Sequence, residues 1–116
     1  MLNDGTRRIS PQGYRPEQVT ALKTFLRGSV WCWVQLKGDA PFAARDLVGG
    51  DSAHWRGIPL MALYEKHILD GRSDAEAKRQ GGIDLGHFLK QVIDEDHRSF
   101  ESCDMGRAKG YRLASV

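Results

Sequence analysis

Cysteine is scarce in this 116-residue chain: Cys32 and Cys103 are its whole complement. One disulfide is the most they could form, which excludes a disulfide-stapled secreted scaffold and makes buried or free thiols the expectation. Long apolar runs are missing as well. None approaches the roughly 18 to 20 residues that a membrane span needs, and the polar stretch Met1–Gln12 has no apolar signal core, so a cytoplasmic chain with no membrane partner is expected. Of the four histidines, His54, His67, His87 and His97, only His97 comes within the roughly two-to-five-residue spacing of zinc ligands from another candidate, Cys103, and one such pair makes no site, so no metal site is expected. There is no G-x-S-x-G, no P-loop and no dinucleotide fingerprint, so neither an enzyme nor a cofactor is expected.

Charge of one sign is also in short supply. Lys and Arg number 17 against 15 Asp and Glu, and the formal net charge is +2. Residues 1–58 hold eight basic against five acidic side chains, and residues 59–116 hold nine against ten. A globally basic nucleic-acid glue is therefore excluded, but a local basic strip is not. From Met105 onward the chain carries Arg107, Lys109 and Arg112 with no acid.

At this length, with 41% hydrophobic residues, one domain with one modest core is expected. Residues 1–15 read as a polar, turn-rich arm containing Arg7-Arg8, and residues 16–116 as a single domain. Pro16 suits a first helical position, and Val19, Leu22, Phe25 and Leu26 recur at helical spacing up to Gly28. Val30–Leu36, with Trp31 and Trp33, is an unbroken apolar run that periodicity assigns neither to helix nor to strand. A short helix fits Ala43–Val48, and a better one follows Pro59, with Leu60, Leu63, Tyr64, His67 and Ile68 on one stripe. His67 there reads as a half-buried histidine rather than a ligand. Five or six helices in all are expected.

The second half is the most patterned. Ser73 or Asp74 can cap a short helix containing Ala75 and Ala77, Gly81-Gly82 can end it, and Ile83, Leu85, Phe88, Leu89, Val92 and Ile93 then repeat at helical spacing. Phe100 and Tyr111–Leu113 flank a glycine-bounded loop, Asp104–Gly110, suited to a hairpin. Helix, glycine turn, helix and terminal hairpin is an order that resembles the winged helix-turn-helix superfamily, over residues 73 to about 114. Small Ala77 and the turn at Gly81 match the motif, whereas Gly82 departs from it as an extra residue before Ile83.

The resemblance implies a mainly α domain with a small C-terminal β-hairpin, and a second helix that enters a DNA groove. The outer face of that helix would show Asp84, His87, Lys90, Gln91 and Asp94. Asp84, His87, Lys90 and Gln91 become candidates for base edges, Asp84 only as an acceptor from a cytosine amino group, and Lys78, Arg79, Arg107 and Lys109 for phosphates. Double-stranded DNA is the expected partner, with the chain a regulator or DNA-recognition component of a larger bacterial system. The alternative is a protein-interaction module, an adaptor or inhibitor, or a homodimer formed through the N-terminal helices, because Trp31, Trp33, Phe42, Trp55 and Tyr64 concentrate in the first 64 residues. The acids Asp94-Glu95-Asp96 would face away from DNA or toward a basic protein. As neighbours on one helix end they point different ways, which argues against a nuclease metal site.

Overall fold

The computed structural model describes residues 13–48, 55–106 and 108–115. Four helices lie along them, α1 Pro16–Lys37, α2 Ala44–Val48, α3 Met61–Leu69 and α4 Asp74–Glu95, followed by strands β1 Ser99–Met105 and β2 Ala108–Ser115. The layout is mainly helical with a C-terminal antiparallel hairpin. The count falls short of the five or six helices expected because two pairs of short helices are each a single long one.

The first merger is α1. Pro16 opens it, Gln18 Oε1 accepts a hydrogen bond from the Arg15 amide at 2.9 Å, and Glu17 favours the positive end of the helix dipole. The helix does not stop at Gly28-Ser29. Ser29 Oγ donates to the Phe25 carbonyl at 2.9 Å, and Leu22, Leu26 and Val30 form one buried stripe across the glycine, so Val30–Leu36 continues as helix. Gly38, at φ 63°, ends it.

The second merger overturns the helix-turn-helix placed over residues 73–93. Gly81 and Gly82 form no turn; α4 runs unbroken through both. Glycine inside a helix costs about 1 kcal/mol relative to alanine, so the apolar face must hold the helix together. It does so with Ala77, Leu85, Phe88, Leu89 and Val92, each 4% exposed or less. Gly81 lies on that face, where an added Cβ would come within 3.2 Å of the Leu63 carbonyl oxygen. It is therefore the contact at which α3 crosses α4, and the tight link is Asp70–Ser73 instead, with Gly71 at φ 91°. Ser73 Oγ then caps α4 by accepting from the Glu76 amide at 3.2 Å, as the sequence suggested.

β1 and β2 pair antiparallel, with Phe100 opposite Leu113 and Ser102 opposite Tyr111. Phe42 adds an isolated bridge on the other side of Tyr111, its amide donating to the Tyr111 carbonyl at 2.9 Å and its carbonyl accepting from the Tyr111 amide at 2.8 Å. A side chain at Gly110 would meet the Phe42 carbonyl oxygen at 2.8 Å, so the close approach of this segment needs a glycine. Phe42 packs against Trp33, Phe100 and Tyr111 with ring centroids 5.8 to 6.3 Å apart, which ties the hairpin to α1. Tyr14, read from the sequence as part of the arm, is fully buried and stacks edge-on against Phe88 at 5.6 Å.

The two adjacent glycines should respond oppositely to side chains. Gly82→Ala places a methyl in open space and should stabilise by about 0.5 to 1 kcal/mol, whereas Gly81→Ile should cost about 1 to 3 kcal/mol through overpacking against Leu63. Urea midpoints check this; equal shifts of the same sign would show that α3 does not cross at Gly81.

Candidate functional site

The outward face of α4 forms one wall of a groove with a volume of about 740 Å³. The hairpin supplies the opposite wall through Ala108, Lys109 and Tyr111, and the start of α2 closes one side through Ala43 to Arg45. Its floor is apolar, with buried Trp55 and Leu89, and along the helix wall Gly82 and Gly86, one turn apart, leave the backbone bare beside Ile83.

Basic groups gather on this groove. Arg45, Lys78, His87, Lys90 and Lys109 all line it, and no carboxylate does among the described residues. Lys78 and Lys90 are paired along the helix with Asp74 at 3.1 Å and Asp94 at 2.9 Å, and the Asp94 hydrogen bond holds the Lys90 ammonium above its ordinary range. Both pairs are more than half exposed, so an incoming anion can displace the carboxylates at little cost. Arg45 and Lys109 form no ion pair among the described residues.

The groove thus joins four of the residues singled out in the sequence, Lys78, His87, Lys90 and Lys109. Three stand apart. Arg79 is exposed on α4 but outside the groove, and both its Nε and Nη2 donate to Glu76. Gln91 is half-buried and does not line the groove. Arg107 lies outside the described residues. Arg45 was missed because a lone arginine on a five-residue helix carries no sequence signal until the fold brings it opposite α4.

Asp84 corrects the expected outer face. It is 8% exposed and turned into the core, where Tyr14 Oη donates to its Oδ2 at 2.6 Å and His67 Nε2 lies 2.8 Å from the same oxygen. Burial first, and then the Asp84 hydrogen bond and charge, push the Tyr14 hydroxyl far above its usual range, so it stays a donor. The groove does not reach this cluster, whose role is to bind the segment before α1 to α3 and α4. Helical spacing carried the signal: Asp84 stands three residues after Gly81 and four before Phe88, on the buried stripe of a continuous α4.

The acidic end of α4 is satisfied within the chain. Asp94 pairs with Lys90, Glu95 accepts from Lys23 at 2.7 Å and Arg27 at 3.0 Å, and Asp96 is clasped by Arg98. These contacts compensate for three acids at the negative end of the helix dipole. The clasp is the most buried of them: Arg98 Nη2 and Nε donate to Asp96 at 2.7 and 2.9 Å, and the guanidinium stacks over Trp31 and Phe100. No group of three or more His, Cys, Asp or Glu able to hold a metal ion occurs among the described residues, and no helix among them is long and apolar enough to cross a membrane.

No family model, curated protein or solved structure matches this chain. What the groove does has to be read from its own chemistry.

Two measurements probe the framework. Tyr14→Phe should cost about 1 to 3 kcal/mol, because Asp84 keeps its burial but loses a donor, and calorimetry or denaturant unfolding reads it. Asp96 gives a pH dependence. Arg98 holds its carboxyl below the usual carboxylate range, so the stability it contributes is complete above the unfolded value near ~3.9 and is lost as pH falls through the folded value. Asp96→Asn should be less stable than the parent at neutral pH, with the gap narrowing below about pH 4; a gap unchanged by acid would contradict the assignment.

Proposed function

We propose that this chain is a double-stranded-DNA-binding domain of the winged helix-turn-helix kind, with α3, the Asp70–Ser73 link and α4 as its helix-turn-helix and β1–β2 as its wing. The order of elements supports this reading, as does the Phe42 bridge, which lays a third extended segment beside the hairpin. The proposed motif begins earlier than the sequence suggested, and α4 takes the part of the groove-entering helix.

The carrying observation is the basic groove between α4 and the hairpin, lined by no carboxylate among the described residues. An α-helix fits the major groove of B-DNA, and phosphates on the flanking strand would then meet the hairpin and the start of α2. In this arrangement Arg45, Lys78 and Lys109 neutralise phosphates, while His87 and Lys90 face base edges. A regulator, or a recognition component of a larger bacterial system, is the cellular role that fits.

A different surface favours the protein-interaction reading. On α1, Trp31 is 53% and Leu36 80% exposed, which suits a protein partner or a second copy of the chain. The two readings make different demands on salt. Binding to a random-sequence duplex, followed by fluorescence anisotropy, should weaken steeply as salt rises, and Arg45→Ala and Lys109→Ala should each flatten the slope by about one unit. Stability should stay within about 0.5 kcal/mol in each variant, since both side chains are exposed. Unchanged slopes would remove the groove from the mechanism. A parent that binds no duplex at low salt would put the protein-interaction reading in front.

A further inference from the structure

We propose that Ile83 reads the 5-methyl group of pyrimidines in the major groove, so that the domain favours thymine over uracil and 5-methylcytosine over cytosine at the positions it covers. The inference rests on the DNA-binding reading above and adds a specificity to it.

Ile83 is the large apolar side chain on the groove-facing surface of α4, and it is 43% exposed. One flank of Ile83 is left clear. Gly82 and Gly86, one turn apart on the same side of the helix, border it there, and a Cβ added to either would meet nothing within 4 Å. The helix is thereby thinnest on that side of Ile83, so a base edge approaching from it can come close enough to the backbone to touch that side chain. His87 and Lys90, on the same wall, supply polar contacts farther along.

The chemistry of the partner then selects the contact. The major-groove edges of the four bases are donors and acceptors, except for one apolar group, the thymine C5-methyl. Against a polar edge, Ile83 would displace water with no return. Against a methyl it removes apolar surface of both partners from water, which is favourable. Cytosine methylated at C5 carries the same group at the same place, so the preference follows the methyl rather than the base.

Four alternating duplex polymers test this at low salt: poly(dA-dT) against poly(dA-dU), and 5-methylated poly(dG-dC) against the unmethylated form. The parent should bind the methylated member of each pair about fourfold more tightly per methyl contacted, the equivalent of burying one methyl group. Ile83→Ala should equalise both pairs and leave the salt slope unchanged, since no charge is altered. Ile83 is exposed, so the variant should keep the parent's circular dichroism spectrum and melting transition. Equal affinity of the parent within each pair, or a preference that survives Ile83→Ala, would overturn the proposal while leaving DNA binding intact. Failure to bind any of the four polymers would overturn the DNA-binding reading and this inference with it.

Discussion

The direction in which α4 faces the groove depends on how closely α3 lies on it. At Gly81 the backbones approach until a single methyl would crowd the Leu63 carbonyl, and Ala77, one turn earlier on the same face, is fully buried. Small residues at a crossing let main chains meet, and the neighbouring large side chains then interdigitate around the contact. Just beyond it, Tyr14 and His67 converge on Asp84 and fix the rotation of α4 about its own axis. A carboxylate buried in this way is costly unless it is hydrogen-bonded, so the cluster disfavours any register in which Asp84 lacks its partners. With that rotation set, Lys78, Gly82, Ile83, Gly86 and Lys90 have one direction left to face, toward the hairpin.

The hairpin is held in place by a second set of constraints. Phe42 bridges to Tyr111, Gly110 allows the approach, and the Asp96–Arg98 clasp turns the chain from α4 into β1. The aromatic contacts of Phe42 reach α1, so the opposite wall of the groove is anchored to the core and not only to its own strand partner. A groove with both walls fixed can present its basic groups to an anion without first ordering the backbone that carries them, which reduces the entropic cost of binding.

Much of this was legible in the sequence. Pro16 and Ser73 marked helix starts, the Phe88, Leu89 and Val92 stripe marked the core, and the glycines near the C-terminus marked a hairpin. The loop expected over Asp104–Gly110 is, however, mostly paired strand, with β1 running to Met105 and β2 resuming at Ala108. Gly28-Ser29 and Gly81-Gly82 misled, because local propensity treats paired small residues as helix stops, whereas burial on either side of them decided in favour of continuity. The misplaced turn then carried Asp84 to the wrong face. The basic residues of α4 and the hairpin could be named one by one from the sequence, but their meeting in one groove could not. That depends on Arg45 and Trp55, which are distant in the chain and marked by no pattern.

On the proposed reading, the surface between α4 and the hairpin is where this protein meets a polyanion. Amide chemical shifts recorded while a short duplex is added to the ¹⁵N-labelled protein test it residue by residue. The changes should concentrate between Lys78 and Lys90 and around Ala108 to Tyr111, with the exposed positions Trp31 and Leu36 of α1 unmoved. Changes confined to α1, or none at any residue at low salt, would contradict it.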